Sequence, residues 1–275
     1  MDQLLRATAR AETRHFWFRG FRHFVTPLLR QATRGLSDAR LLDCGCGTGN
    51  NLALLERYGR AFGFDLTAVG LQIGREAGRT RLARASVAAI PFPSNAFDVV
   101  TSFDVLYALP EPIERAAVAE MFRVTRPGGC LIVNVAAMEC LRGNHSVLGH
   151  EVRRYSRDRL ERVLRAGGFE IHRLTYTNAS LFPAIFAVRA LQRRRGLPDE
   201  HDDRAAGDFA VPAAPLNALL AAVLRVESLW LRAFDNPFGS SLLCLARKPA
   251  RPARIQRTEA AEAVEPAVSG VTRQS

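Results

Sequence analysis

Hydrophobic and polar positions alternate between two kinds of segment in the first half of the chain. Short runs of neighbouring apolar residues predict buried strands at 39–45, 60–65, 81–86, 96–106 and 130–137. Between these runs, apolar residues recur every three or four positions, which predicts helices at 50–59, 67–78 and 111–125. Strands that alternate with helices in this way favour a parallel sheet with helices on both faces.

The second half of the chain adds elements that are less evenly spaced. An amphipathic helix is predicted at 156–168, and strands are predicted at 169–177 and 239–248. Between these two strands the pattern predicts two strongly apolar helices, at 179–195 and 215–234. The fold class is therefore α/β, with a doubly wound and mostly parallel sheet.

Changes in the pattern divide the chain into three parts. Residues 1–35 are predicted to form an N-terminal helical cap, and residues 36–248 the main domain, with a helical insertion at about 180–235. From 249 to 275 no apolar period remains, which predicts a disordered tail. The sequence has neither the apolar segment of a signal peptide nor a run of about 20 apolar residues, which favours a cytoplasmic location.

Three glycines, Gly45, Gly47 and Gly49, follow the first predicted strand and precede a helix. Glycine allows positive φ and lets a ligand approach the backbone, while the N-terminus of the helix offers unpaired N–H groups. In a doubly wound sheet, ligands bind at the carboxyl ends of the strands. We therefore predict a ligand site at this turn.

Acidic residues around the turn narrow the class of ligand. Asn50 stands where a dinucleotide fingerprint has its third glycine, and Asp43 at the end of the strand repels a pyrophosphate. Asp65 ends the next predicted strand, where a carboxylate accepts two hydrogen bonds from a ribose diol. Together these residues favour an adenosine ligand without phosphates over a purely structural turn.

The stretch from Leu41 to about Ala137 resembles the class I S-adenosylmethionine-dependent methyltransferases of the small-molecule group. The matching segments are LLDCGCGTGNNL, GFDLTAVGL, AAIPFPSNAFDVVTSFDVLYAL and EMFRVTRPGGCLIVNV, within a stretch that spans about a third of the chain. The resemblance implies S-adenosylmethionine as the cofactor. It also implies a Rossmann-like sheet of seven strands, mostly parallel with an antiparallel last strand, to which this chain adds the inserted pair of apolar helices.

The resemblance also implies roles for the matched positions. The residues expected to hold the methionine end of the cofactor are Asp43, Gly45, Cys46, Gly47 and Gly49. Asp65 is expected to bind the ribose, and Phe103 to face the methionine part. The residues expected around the adenine are Leu66, Ser86, Val87 and Ala88.

Two features stand apart from the common family pattern. Ser86 occupies a position where the family often has an acid, so the bond from the adenine amino group lacks charge assistance and we expect weaker cofactor affinity. The N-terminal HFWFRGFR resembles some members of the group. Trp17 and Arg22 would then cover the cofactor and pair with its carboxylate; the alternative is a helix that only packs its aromatic residues on the domain.

Candidates for acid–base chemistry lie in GNHSVLGHEVRRYS, at 143–156 beyond the fifth strand. His150 and His145 are candidate general bases, because imidazole takes up a proton near neutral pH. GHEVRRYS resembles a stretch of methyltransferases found near lipid-sugar glycosyltransferases, and Tyr155 is expected to orient the acceptor. The alternative is an ordinary surface segment that leads into the next helix.

Charge and hydrophobicity bear on the acceptor. The formal net charge is +11, and residues 142–195 hold 12 arginines and four acidic residues. This patch favours an anionic substrate or a membrane surface, with the codon usage of a GC-rich genome as the alternative. The inserted apolar helices, edged with arginine, fit a membrane interface, a lid over a soluble apolar substrate, or the interface of a homodimer.

The five cysteines predict neither a disulfide framework nor a metal centre. Cys44 and Cys46 form a CxC pair without partner ligands elsewhere, so they are interpreted as small residues that fit a tight turn. No metal is expected.

The sequence as a whole predicts a methyltransferase that acts on a hydroxyl or similar nucleophile of a small, hydrophobic or lipid-linked acceptor. The alternatives are an RNA methyltransferase, suggested by the charge, a non-catalytic S-adenosylmethionine-binding protein, and an NAD-dependent oxidoreductase. Because no appended RNA-binding module is visible, we expect no nucleic-acid partner.

Overall fold

The computed structural model describes residues 2–196 and 210–250. The strands in these ranges are β1 Arg40–Cys44, β2 Arg60–Asp65, β3 Leu82–Arg84, β4 Phe97–Phe103, β5 Thr125–Ala136, β6 Glu170–Thr177 and β7 Ser241–Arg247. The α-helices are α1 Asp2–Ala11, α2 Phe16–Ala32, α3 Leu52–Leu55, α4 Ala68–Glu76, α5 Glu111–Val124, α6 Asn144–Leu148, α7 Arg157–Ala166, α8 Phe182–Arg194 and α9 Ala214–Trp230. Nearly all of the tail predicted at 249–275 lies outside the described residues.

The strands form one sheet in the order β3-β2-β1-β4-β5-β7-β6. The first five strands pair in parallel, and β7 lies antiparallel between β5 and β6. The predicted seven-stranded, doubly wound fold with an antiparallel last strand is therefore confirmed. The direction of strand progression reverses between β1 and β4, where doubly wound sheets bind their ligands.

Two elements differ from their predicted bounds. Helix α3 ends at Leu55, short of the predicted 59, because the chain turns towards β2 and Gly59 lies against the Ala39 carbonyl, where a Cβ would be 2.1 Å from the oxygen. Strand β5 begins at Thr125 instead of 130, because Thr125 already pairs with Phe97 of β4. Residues 126–129, which the sequence left between the predicted helix and strand, are thus part of the strand.

Two apolar cores cover the two faces of the sheet. Neighbouring residues of β1 divide between them: Leu42 faces α5 and α7, while Leu41 faces α2, α3 and α9. Each side chain is fully buried. Because both faces are covered, only the edges of the sheet and its strand ends remain for a ligand.

The two inserted helices pack very differently. Helix α9 lies on α2: Leu224 fills the space at Gly20, and the Asn217 side chain accepts from the Phe16 N–H at 2.8 Å. Helix α8 contains no buried residue and contacts the segment after β5, where the Asn144 N–H donates to Gln192 at 3.1 Å. In the described part of the chain, no helix is long and apolar enough to pass through a bilayer.

Candidate functional site

The glycine turn lies at the carboxyl end of β1, beside the switch point of the sheet. Gly45, Gly47 and Gly49 all have positive φ, at 74°, 56° and 77°. The N–H groups of Gly45 and Cys46 both donate to the Phe64 carbonyl at 2.9 Å, which fixes the turn against β2. A Cβ on Gly45 would lie 2.5 Å from Cγ2 of Val105, so glycine is required there for space as well as conformation.

Replacing Gly45 by alanine is expected to destabilise the chain more than the same change at Gly35. Both residues have positive φ, but nothing lies within 4 Å of a Cβ at Gly35. Gly35→Ala should therefore cost only the conformational strain, about 1 kcal/mol, and Gly45→Ala about 1–2 kcal/mol more. Urea unfolding measures both, and Val105→Ala should recover most of the extra loss; an unchanged difference in that double variant would contradict the steric explanation.

Asp43, the last residue but one of β1, is buried beside the turn. Its Oδ1 accepts a hydrogen bond from the Thr101 hydroxyl at 2.7 Å, while its Oδ2 has no hydrogen-bond partner among the residues the structure describes. Burial raises the pKa of the Asp43 carboxyl to about 7, and nearby Asp65 adds to that rise. An unpaired carboxylate oxygen in this position suits a cationic or hydrogen-bond-donating group of a ligand.

Asp65 lies at the carboxyl end of β2, across the turn from Asp43. Its two oxygens accept hydrogen bonds from the N–H groups of Gly47, at 2.7 Å, and Thr67, at 2.8 Å. The carboxylate is half-buried, and each oxygen has a second lone pair that remains for a ribose hydroxyl. Leu66 beside it is 64% exposed, as expected of a residue that an adenine ring would cover.

The segment from Ser86 to Ala88 follows β3 at the same edge. All three residues are half-buried, and the Ser86 hydroxyl accepts from the Ala88 N–H at 3.2 Å. The hydroxyl thus shapes the turn with one of its lone pairs. The predicted contact of these residues with adenine stays a prediction.

Helices α1 and α2 cover the glycine turn. Leu5 of α1 approaches Gly47, with its Cδ2 3.1 Å from the position of a Cβ there, and Glu12 accepts from the Thr48 hydroxyl at 3.0 Å. Arg22 donates to the Glu12 carbonyl at 3.0 Å, and Trp17 is half-buried near the start of α2. The sequence did not single out Leu5 or Glu12, because a lone leucine and a lone glutamate carry no pattern.

The end of β4 faces the turn across the switch point. Phe103 is buried and meets the ring of Phe21 edge-on at 5.0 Å, which brings α2 over this end of the sheet. Asp104, the next residue, was not among the predicted site residues. It has φ +59°, which is uncommon for a residue with a side chain and is typical of functional sites.

Asp104 is held by β5. Its N–H donates to the Asn134 carbonyl at 2.9 Å, and its Oδ1 accepts from the Asn134 side chain at the same distance. Asp104 is an exposed residue, although many protein atoms lie around its carboxyl group. This desolvation raises the pKa of Asp104 to about 7, and nearby Glu151 adds to the rise. A residue of this kind is a candidate general base.

The predicted catalytic residues at 143–156 lie in different environments. His150 is exposed and has φ +48°, whereas the side chain of His145 lies outside the described part of the structure. Arg154 of the same segment is buried in an ion pair with Glu151 at 3.0 Å. Of these side chains, that of His150 is the one the structure shows open to solvent.

The position of Tyr155 differs from the expectation that this residue orients the acceptor. Its ring is 1% exposed in the core between α5 and α7, and its hydroxyl bonds to Glu114 and to the Leu106 carbonyl. Glu114 is itself fully buried and pairs with Arg159 at 2.8 Å. A side chain enclosed in this way does not reach an acceptor; it anchors the 150–155 segment to α5.

Tyr155→Phe is accordingly expected to lower stability and to leave catalysis intact. Removal of the hydroxyl leaves the buried Glu114 carboxylate short of a donor, which should lower the free energy of unfolding by about 1–2 kcal/mol. The control is Tyr58→Phe at the half-buried Tyr58, where we expect a smaller change. Unfolding curves measure the stability of each variant, and turnover of the folded protein measures its activity. A loss of turnover at unchanged stability would instead support the expectation that Tyr155 orients the acceptor.

The cysteines of the turn are structural. Cys44 is fully buried, and Cys46 Sγ would lie 2.9 Å from a Cβ on Gly63. Burial raises the pKa of both thiols, which keeps them protonated and unreactive. Among the residues the structure describes, no group of three or more potential metal ligands comes together.

Comparisons with known proteins agree on the central part of the chain. Residues 42–133 match the family described as a methyltransferase domain. The chain is 35% identical over 106 residues to the ubiquinone/menaquinone biosynthesis C-methyltransferase UbiE of Erwinia tasmaniensis, a match that covers 34% of this chain and 41% of that protein. It is 37% identical over 109 residues to the malonyl-[acyl-carrier protein] O-methyltransferase of Enterobacter lignolyticus, covering 38% and 41%.

A solved structure extends the likeness beyond that segment. The [4+2]-cyclase SpnF is 25% identical, with a TM-score of 0.53, and the match covers 83% of this chain and 81% of that one. The chain spans less than half the length of the curated relatives named above. The matched residues include the glycine turn, Asp65 and the end of β4, but neither the segment 143–156 nor the inserted helices.

Proposed function

Because this chain carries a class I S-adenosylmethionine-dependent methyltransferase domain, we propose that it transfers a methyl group to a hydroxyl or similar nucleophile of a small, hydrophobic or lipid-linked acceptor. The observation that carries the proposal is the unpaired Oδ2 of Asp43. It lies beside the glycine turn at the switch point, where a buried carboxylate without a ligand is costly.

The residues around the turn suit S-adenosylmethionine. Asp43 would accept from the amino group of the methionine part, and the glycines would bring the backbone to it. Asp65 would bind the ribose, with Leu66 and the segment 86–88 beside the adenine. When bound, the cofactor supplies a methyl group on a sulfonium, whose leaving thioether needs no proton.

The remaining work falls to the protein's own groups: to position the acceptor, to exclude water and to take up a proton. Asp104 is our candidate for the last task, because a carboxyl with a pKa of about 7 accepts a proton readily near neutral pH. Phe103 and Phe21 shield this end of the sheet from water. His150 remains a second candidate, since imidazole takes up a proton near neutral pH and the residue is exposed at the surface.

The class of acceptor is a proposal that the relatives support only in part. One is named for quinone biosynthesis and another for a malonyl-carrier protein, so related domains serve different acceptors. In this chain the elements outside the matched domain are the arginine-rich segment from 142 and the apolar helices α8 and α9. These features favour an acceptor that is apolar and carries a negative charge, and a cytoplasmic enzyme that meets the membrane peripherally.

The test uses S-adenosylmethionine labelled in its methyl group. The full-length protein is incubated with lipid extract, a small-molecule extract or total RNA from the source cells, and the label is followed into each. We expect transfer into the lipid or small-molecule fraction, with Asp43→Ala as the inactive control. Label in RNA alone would overturn the acceptor class and favour the RNA methyltransferase instead.

A second function is favoured by one observation. The structural relative SpnF is named as a cyclase, so a domain of this shape does not by itself establish methyl transfer. If S-adenosylmethionine binds but no extract accepts a methyl group, a role as a cofactor-binding protein without transfer replaces the proposal. Binding of NADH in preference to S-adenosylmethionine would reject both.

A further inference from the structure

Helix α8, the outer side of α9 and the segment after it expose an unusual amount of apolar surface. Leu219 is 60% exposed and Val226 66% exposed, both on α9. We use the term apolar face for a set of exposed residues on these elements: Phe186, Leu219, Val226, Trp230, Phe234 and Phe238. Soluble monomers rarely leave so many large apolar side chains together in water.

The apolar face is held together by a buried carboxylate. Glu227 of α9 accepts from the N–H groups of Ala179 and Ser180 at 2.9 and 3.0 Å, and from the Asn236 side chain at 2.9 Å. These bonds fix the start of α8 and the segment after α9 to the same turn of α9. The three elements therefore meet at this turn of α9.

Aromatic contacts continue across this surface. Phe182 of α8 lies 6.2 Å from Phe186 and 5.3 Å from Phe238, and Trp230 stacks on Phe234 at 4.4 Å. Rings that contact one another but remain exposed are typical of surfaces that meet an apolar partner.

Helix α9 carries two apolar stripes, and within the described part of the chain one of them packs inward while the other is mostly exposed. The stripe that packs inward includes Ala221, Leu224 and Leu231, all buried. The outer stripe repeats at intervals of three and four residues and consists of Leu216, Leu219, Val223, Val226 and Trp230. Since the inner stripe already fixes the helix to α2, most of the outer stripe remains exposed among the residues the structure describes.

Charge on the same elements indicates the partner. Arg194, Arg195, Arg225 and Arg232 are exposed on or next to these helices. In the described residues of 182–238 the acids are the buried Glu227 and Asp235, which pairs with Arg173 at 2.8 Å. An apolar surface edged with arginine is complementary to an anionic bilayer, whereas a second copy would bring its arginines against these.

We propose that the apolar face docks on an anionic lipid bilayer. Helix α8 rests on the segment that follows β5, through Arg193 and the Arg142 carbonyl at 3.0 Å, so a bilayer bound here lies next to the segment 143–156. The proposal deepens the proposed function by naming where an apolar acceptor is met. Docking itself requires neither cofactor nor acceptor and is measured without them.

The experiment compares the full chain with Leu219→Glu/Val226→Glu in flotation with vesicles. The vesicles contain phosphatidylcholine alone or with phosphatidylglycerol. We expect the wild type to bind the phosphatidylglycerol vesicles, less at high salt, and the double variant to bind about tenfold more weakly or worse. The matched control is Leu36→Glu/Ile113→Glu, whose exposed apolar residues lie elsewhere and whose binding should be unchanged.

Other occupants give different results. If the apolar face joins two copies, sedimentation velocity will show a dimer that the double variant dissociates, and vesicle binding will be absent. The acidic residues at 199–208, which lie outside the described residues, could pair with the arginines of a second copy, so this outcome is the alternative to docking on a bilayer. Equal binding by the double variant and the control would also overturn the proposal. Calorimetry measures the binding of S-adenosylmethionine independently of vesicle binding. It therefore shows whether the proposed function is supported even if the protein does not dock on a bilayer.

Discussion

Replacement of Asp43 by asparagine should abolish cofactor binding and at the same time stabilise the cofactor-free protein. Asparagine keeps the bond from Thr101 but removes the charge that would pair with the amino group of S-adenosylmethionine. We expect affinity, measured by calorimetry, to fall about 100-fold or more, since a charge-assisted buried bond is lost.

The sign of the stability change follows from the raised pKa of Asp43. The folded chain holds this proton up to a pH of about 7, whereas an unfolded aspartate releases it near pH 4. Between these values the carboxyl lowers the free energy of unfolding as the pH rises. Asp43→Asn should therefore gain about 1–3 kcal/mol at pH 8, and less at pH 5.

The control for Asp43 is Asp158→Asn, which removes an equal charge from the exposed first turn of α7. It should change neither affinity nor the pH dependence of unfolding. If Asp43→Asn binds S-adenosylmethionine with wild-type affinity, the carboxylate does not hold the methionine end. The assignment of the site would then fail with it.

Asp104→Asn should remove turnover and leave cofactor binding within a few fold of the wild type. Asparagine tolerates the positive φ at this position, so the fold should persist. Loss of a general base typically costs about 100-fold or more in kcat. Because the carboxyl has a pKa of about 7, wild-type kcat/KM should fall as the pH drops below 7, and the variant should lose this dependence.

Turnover is measured by release of S-adenosylhomocysteine in the presence of the fraction that accepts label. The matched control is Glu139→Gln, which removes an exposed carboxylate a few residues before the segment 143–156. This variant should retain the activity and the pH profile of the wild type. An unchanged kcat in Asp104→Asn would reject the role of Asp104 and favour His150. A collapse of cofactor affinity would instead place Asp104 in the binding site.

The fold was predictable because its strands differ sharply from its helices in apolar pattern. Runs such as 97–103 are buried on both faces, which is typical of strands in a sheet that helices cover on both sides. The predicted bounds of α3 and β5 were less accurate. The end of α3 depends on the contact of Gly59 with the Ala39 carbonyl, and the start of β5 depends on the pairing of Thr125 with Phe97. Contacts between residues distant in sequence leave no periodic signal.

The candidate site was predictable where the chemistry is local. Asp43 and the three glycines are adjacent in sequence, so their spacing carries the prediction. Asp104 was missed although it follows Phe103 directly, because its importance lies in a positive φ and in Asn134 of β5. Tyr155 was misassigned for the opposite reason: its sequence neighbours suggested a site, while its partner Glu114 lies 41 positions earlier.

The position of α1 has a consequence for kinetics. A ligand held against Gly47 lies beneath Leu5, and α1 is tied to the turn by the bonds between Glu12 and Thr48. We therefore expect release of a spent cofactor to require α1 to move away, which would break these bonds and expose Leu5 to water. The residence time of the product would then depend on the rate of this opening.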